Sequence, residues 1–169
     1  MQRLLKAAKL KTQACVEDID YRHKRGLDRS LMASLTTCDW VARGINVLLA
    51  GPTGSVKTWP ACALGQKVCR LVKIVQRAPL LLEKLRLTHA DNSSFRKRLA
   101  QLAKVDLFIL GDFGSGAINA GHRADLLEIV EARVEGRATV LTSQLPVDKW
   151  HDYLGTATPP PRMPSWTES

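Results

Sequence analysis

The amino-acid sequence predicts an α/β domain in which helices flank both faces of a parallel β-sheet. Short apolar runs alternate with stretches of helical periodicity, a pattern that favours strand–helix–strand units. The first of these runs leads directly into a glycine-rich segment, which suits a buried parallel strand that ends in a loop. The chain has 169 residues, of which 45% are hydrophobic, and this is enough for one domain with a sizeable core.

The predicted elements follow one another along the chain. Residues 1–44 are expected to form short helical pieces that lead into a core spanning residues 45–155. Strands are predicted from apolar runs at residues 45–50, 71–75, 105–110 and 138–142. Helices are predicted at residues 57–70, from Pro79 onward, and at 125–135, with Gly136 placed to end the last one. This last helix is expected to carry its apolar residues on one side, namely Leu126, Leu127, Val130 and Val134.

Charge is distributed unevenly along the sequence, which has a net charge of +9. Residues 67–104 carry 10 basic and 2 acidic groups, including the consecutive Arg96, Lys97 and Arg98. Such a segment favours a polyanionic partner, because lysine and arginine hold the phosphates of DNA whatever its base sequence. A basic protein without such a partner is equally compatible with charge alone.

Other features of the composition bear on where the protein works. The longest uncharged stretch, residues 44–56, is shorter than the ~20 apolar residues that a membrane span needs. The four cysteines lack metal-ligand spacing and the density of a disulfide scaffold, which fits a reducing compartment. Residues 156–169 hold four prolines and are expected to form an irregular tail. We therefore expect a cytoplasmic protein without a membrane segment.

The glycine-rich segment after the first strand matches most of a phosphate-binding loop (P-loop). The pattern G-x-x-x-x-G-K-[ST] uses backbone N–H groups to surround phosphates, a lysine to reach the β- and γ-oxygens, and a hydroxyl to bind Mg²⁺. The expected nucleotide-binding residues are Gly51, Pro52, Thr53, Gly54, Ser55, Val56, Lys57 and Thr58. Val56 stands where the pattern has its second glycine, and a β-branched side chain there crowds the approach to the phosphate. We therefore predict weakened nucleotide binding.

A second strand of a P-loop protein commonly ends in an acid for Mg²⁺, often with a second acid for the attacking water. After the strand LFIL, Gly111 stands at the place of the first acid and Asp112 at that of the second. Asp112 could serve the metal only through a one-residue slip, which would turn the strand's side chains to opposite faces. Either register leaves the site one carboxylate short, which argues against efficient hydrolysis.

Beyond these motifs, the sequence resembles the IstB-like ATP-binding proteins, helpers of insertion-sequence transposases that are related to the DnaC-type helicase loaders of the AAA+ class. The similarity covers roughly residues 3–155 and includes RLLKAAKLKTQACVEDIDYR, LDRSLMASL, LLLEKLRLTHAD, FRKRLAQLAK and TSQLPVDKWHDYLG. It implies an AAA+-like P-loop NTPase fold, binding of ATP, Mg²⁺ and DNA, and partnership with the transposase of the same insertion sequence.

The resemblance also implies roles for single residues. Lys57 would contact phosphate and Thr58 would bind Mg²⁺, while Asp112 would be the second acid. Thr142 or Ser143 would be the polar sensor that ends the fourth strand, and we assign Ser143 with Asp112 to the catalytic set.

The sequence departs from the family pattern at Val56, where relatives have glycine, and at Gly111, where they have aspartate. Beyond the equivalent of Gly155, relatives carry a helical lid region with arginines, and we expect this region to be missing. We therefore predict an ATP-binding transposition helper with weakened Mg²⁺ binding and impaired hydrolysis, and self-association is left open. The alternatives are a non-enzymatic DNA-binding remnant and a working small P-loop kinase, which would need a substrate lid and intact metal ligands.

Overall fold

The structure is a computed structural model that describes residues 2–19, 28–52, 57–71, 75–79, 97, 100–114, 120–134 and 136–155. The chain begins with three short helices, α1 (Gln2–Ala8), α2 (Arg29–Thr36) and α3 (Asp39–Ala42). Helix α2 begins after Asp28, whose carboxylate accepts the N–H groups of Ser30 and Leu31. These caps satisfy two donors that the first turn of a helix leaves without partners. The short helical pieces predicted for residues 1–44 are thus confirmed where the structure describes them.

Strands and longer helices alternate through the rest of the described chain. Their order is β1 (Val47–Ala50), α4 (Thr58–Arg70), β2 (Val75–Pro79), β3 (Leu107–Phe113), α5 (Ala120–Val134), β4 (Ala138–Ser143) and α6 (Trp150–Leu154). The four strands form one parallel sheet in the order β1-β4-β3-β2. All four carboxyl ends therefore lie at the same edge of the sheet, as the predicted α/β class requires.

The two faces of the sheet bury separate apolar clusters. One face packs α4 and the N-terminal helices against β3, through side chains such as Leu64, Val68, Leu107 and Ile109. The opposite face packs α5 and α6 against β3, through side chains such as Phe108, Leu110, Leu126 and Ile129. Alternate residues of β3 thus enter opposite clusters, as expected of a strand that is covered on both sides.

The second strand lies further along the chain than the sequence predicted. The prediction placed it at residues 71–75 and let a helix begin at Pro79, whereas β2 runs from Val75 to Pro79. Leu71 instead follows the last turn of α4, where its N–H is bonded to the carbonyl of Val68. Proline has no N–H to donate to a neighbouring strand. It is tolerated at the end of β2 because β2 lies at the edge of the described sheet. The helix expected after Pro79 lies outside the described residues.

Helix α5 also buries a different face from the one predicted. Leu127, Val130 and Val134 are exposed, while Leu126 and Ile129 are buried. The buried side continues with Arg133, whose guanidinium is 2% exposed. Arg133 donates hydrogen bonds to the carbonyls of Leu102, Val105 and Ala138, and to the hydroxyl of Thr139. These acceptors let a charged residue occupy the buried side of the helix.

Two further sequence-based expectations can be compared with the structure. Cys62 and Cys69 lie seven residues apart, a spacing that predicts one shared face of a helix, and both are buried on α4. Among the helices within the described ranges, we find no segment with the length and apolar character needed to cross a membrane. The proline-rich residues 156–169 lie outside the described part of the chain.

Candidate nucleotide-binding site

The predicted P-loop begins where β1 meets β4 at the carboxyl edge of the sheet. Strand β1 pairs with β4 up to Ala50 and Ser143. The N–H of Gly51 then donates to the carbonyl of Ser143 at 3.2 Å. The first residue of the loop is therefore fixed to the end of the central strand β4. Residues 53–56, which include Val56, lie outside the described residues, so the predicted effect of Val56 stays a prediction.

The next described residue of the loop is Lys57. Its ammonium donates to the carbonyls of Gly51 at 2.6 Å and of Pro52 at 2.7 Å. Its backbone is already helical, and α4 begins at the next residue, Thr58. The side chains of Lys57 and Thr58 are both half-buried. The structure thus brings a lysine ammonium and a hydroxyl to the N-terminus of a 13-residue helix, where backbone N–H groups and the helix dipole favour an anion.

Strand β3 ends in a β-bulge that contains Gly111 and Asp112. Leu110 pairs with Leu141 of β4, but the next pair is Phe113 with Ser143, so β3 uses one residue more than β4 over this interval. Asp112 adopts the left-handed conformation, with φ of +59°, which aspartate tolerates better than most residues. This arrangement matches neither of the two regular registers predicted from the sequence. The strand keeps one register up to Leu110 and changes it only at the bulge.

Two hydroxyls of β4 hold the bulge. The N–H of Asp112 donates to the Thr142 hydroxyl at 3.0 Å. The Ser143 hydroxyl lies 3.1 Å from the carbonyls of both Phe113 and Leu145, and it accepts the N–H of Leu145 at 3.0 Å. Thr142 is 2% exposed and Ser143 is fully buried. Both hydroxyls are therefore engaged with backbone groups, and that of Thr142 holds the backbone N–H of Asp112.

Aromatic packing fixes the end of β3 beyond the bulge. The ring of Phe113 makes edge-to-face contacts with Trp150 at 4.8 Å and with Tyr153 at 5.3 Å between ring centroids. Gly114 follows with φ of +81°, and a Cβ there would come within 2.6 Å of Leu145. A side chain at this position would therefore be strained by the positive φ and would displace Leu145.

These donors fit a Mg²⁺ ion that arrives with a nucleotide. Magnesium is usually bound through one or two carboxylates together with substrate phosphates, and it keeps several waters. Thr58 offers a hydroxyl, and Asp112 offers a half-buried carboxylate at the end of the neighbouring central strand. Within the described ranges, no three His, Cys, Asp or Glu side chains are grouped so that they could hold a metal by themselves. Thr58 and Asp112 would therefore share a metal ion with the phosphates of the nucleotide.

The predicted DNA contacts are described only in part. Lys97 is exposed, while Arg96 and Arg98 lie outside the described residues. The DNA-binding role of these three residues stays a prediction.

The parallel sheet, its strand order and its flanking helices have the AAA+-like α/β fold expected from the sequence. Over 92% of this chain and 90% of the other, the fold is similar to the crystal structure of the DnaC helicase loader, with a TM-score of 0.70 and 14% sequence identity. It is also similar to the replication initiator DnaA bound to AMPPCP and single-stranded DNA, with a TM-score of 0.67 and 13% identity over 81% of this chain and 43% of that one. At these identities, the likeness concerns the fold.

Sequence similarity identifies the family within this class. Residues 1–159 match the family model described as IstB-like ATP binding protein, and the chain belongs to this family. It is 50% identical over 149 residues to the protein of insertion sequence IS1162 from Pseudomonas fluorescens, which is named as an ATP-binding protein. It is 46% identical over 156 residues to the insertion-sequence protein y4pL of Sinorhizobium fredii, also named as ATP-binding.

The chain covers only part of these relatives. The two alignments include 86% and 91% of this chain, but 64% and 63% of the respective relatives.

Proposed function

We propose that this chain is the nucleotide-binding part of an insertion-sequence helper protein and that it binds ATP through residues 51–58. The observation that carries the proposal is the position of Lys57, whose ammonium lies against the carbonyls of Gly51 and Pro52 at the N-terminus of α4. A phosphate chain seated at this point would meet the ammonium and the first N–H groups of the helix. Family membership supports ATP as the nucleotide.

Magnesium would be held on the nucleotide by Thr58 and Asp112. When bound, it would neutralise charge on the β- and γ-phosphate oxygens. Residues 110–114 contain one acid, Asp112, because Gly111 occupies the other place in the family pattern. With one carboxylate to serve both the metal and the attacking water, we expect binding to persist and hydrolysis to be slow.

DNA and a transposase are the proposed partners. The relatives named above are insertion-sequence proteins, and one solved structure of the structurally similar DnaA is bound to single-stranded DNA. The 10 basic groups of residues 67–104 supply charge for such a polyanion. Self-association and a cytoplasmic location belong to the same proposal.

A non-enzymatic DNA-binding remnant is the second candidate, and the same excess of basic groups favours it. The two candidates differ in whether Lys57 matters for a nucleotide. If the chain is such a remnant, replacing Lys57 would change no nucleotide affinity, because the chain would bind only DNA, through its surface charge.

Titration with a fluorescent ATP analogue tests the proposal. Lys57→Ala should weaken binding at least tenfold, because a hydrogen bond from a charged donor contributes about 1.5–3 kcal/mol. Lys67→Ala is the matched control, since it removes the same charge from the last turn of the helix that Lys57 precedes, and it should change the affinity less than twofold. Equal losses in both variants, or no binding by the unmodified chain, would contradict nucleotide binding by this loop.

A further inference from the structure

The bulge in β3 changes which side of the sheet its last residues face. In a regular strand, Leu110 and Phe113 would point to opposite faces, because they are three residues apart. In the structure, both pack in the cluster beneath α5 and α6. Gly111 and Asp112 therefore share the single position between them, which alternation assigns to the face that packs α4.

This position is the one that a metal-side acid would need. Helix α4 begins with Thr58, and its N-terminus lies at the carboxyl edge of the sheet on that face. A regular strand would give the position to Gly111 and turn Asp112 away from α4. Bulges are known to re-aim side chains next to active sites, and here the extra residue makes the one acid of the segment available to the α4 side.

We propose that Thr142 is a positioning residue that keeps Asp112 in the bulge, so that its carboxylate can serve the Mg²⁺ of a bound nucleotide. The hydroxyl of Thr142 accepts the N–H of Asp112, an N–H that the irregular pairing between Leu110 and Phe113 removes from the regular ladder. This assignment rests on the proposed nucleotide site. It also moves the functional hydroxyl of β4 from Ser143, the residue assigned from the sequence, to Thr142.

Ser143 then has a structural role. Its hydroxyl lies within hydrogen-bond distance of the carbonyls of Phe113 and Leu145, and it thereby links the end of β3 to the residues that follow β4. A residue that is fully buried and bonded in this way maintains the edge of the sheet. Its replacement should lower stability without a selective effect on the metal.

The Asp112 amide gives a test that needs no nucleotide. In the full chain, Thr142→Val should speed hydrogen exchange of the Asp112 amide at least tenfold, because valine fills the same space without an acceptor. Thr142→Ser restores the hydroxyl and should keep the exchange rate within about threefold of the unmodified chain. Exchange that is unchanged in Thr142→Val would overturn the positioning role, whatever the outcome of nucleotide binding.

The metal consequence is measured separately, as the ratio of ATP affinities in Mg²⁺ and in EDTA. Loss of a residue that orients a metal ligand typically costs about 10–100-fold in metal affinity. Thr142→Val should therefore remove the Mg²⁺-dependent gain, as Asp112→Asn should, while Thr142→Ser retains it and Ser143→Ala retains it at reduced stability. Affinity in EDTA should be the same for all variants, and absence of binding in EDTA would count against the nucleotide site itself. A Mg²⁺ gain that persists in Thr142→Val but disappears in Asp112→Asn would overturn the role of Thr142.

Discussion

Replacing Arg133 by methionine should destabilise the domain by about 3 kcal/mol. The guanidinium is buried, and burial lowers its pKa to about 10. Because this pKa still lies well above neutral pH, the guanidinium is a cation there. Methionine would leave the carbonyls of Leu102, Val105 and Ala138 without this donor. Each buried group that loses its partner costs about 1–3 kcal/mol, and the lower end applies because a carbonyl has a second lone pair and the new side chain is apolar.

Urea unfolding followed by circular dichroism measures this loss. With a denaturant dependence of about 2 kcal/mol per M, the midpoint should fall by about 1.5 M. Arg137→Met is the control, because Arg137 is 43% exposed and pairs with Asp106 at 3.2 Å, and such a surface pair contributes about 0–1 kcal/mol. Equal midpoint shifts in the two variants would refute the reasoning, since the buried hydrogen bonds would then contribute nothing beyond a surface ion pair.

Three further predictions concern the thiols, the basic segment and the two departures from the family pattern. A thiol reagent should modify Cys15 quickly in the native chain and the remaining cysteines only in denaturant. The reason is that Cys38, Cys62 and Cys69 are buried, and burial raises the pKa of the Cys69 thiol. Fast modification of two or more thiols would contradict the burial of these three cysteines. If DNA binding neutralises about four phosphates, log K against log salt should have a slope of about −3.6. Alanine at residues 96–98 should flatten this slope, while alanine at the exposed Arg3, Lys6 and Lys11 should not, and a flat slope in the unmodified chain would remove the nucleic-acid interpretation. The double variant Val56→Gly, Gly111→Asp should bind ATP with Mg²⁺ about 10–100-fold more tightly, and an unchanged affinity would mean that neither departure limits binding.

The sequence predicts best the elements whose signals are local. Strand β1 and helix α4 lie within two residues of their predicted bounds, because an apolar run ends in a glycine-rich loop and a helix follows. The shift of β2 arises because the predicted run at residues 71–75 begins at Leu71, which directly follows α4. Periodicity alone cannot separate the end of one element from the start of the next when both are apolar.

Features that depend on distant partners could not be read from the sequence. Arg133 is buried because carbonyls 28 and 31 residues earlier accept its hydrogen bonds. The bulge at Asp112 depends on the Thr142 hydroxyl, 30 residues later. The sequence is compatible with both registers of β3, and it contains no signal for a local change from one to the other. The sequence and the family resemblance could therefore locate the acid and limit the hydroxyl to Thr142 or Ser143, but they could not show which of the two holds it.

The central claim is that the loop binds a nucleotide through its phosphates, and competition among adenine nucleotides tests it most directly. Equilibrium dialysis should give one ATP per chain. ADP should compete within about tenfold of ATP, and AMP at least tenfold more weakly than ADP, because the lysine of a P-loop reaches the β- and γ-phosphate oxygens. Equal competition by AMP and ATP, or no saturable binding of ATP, would contradict phosphate recognition by Lys57 and the N-terminus of α4.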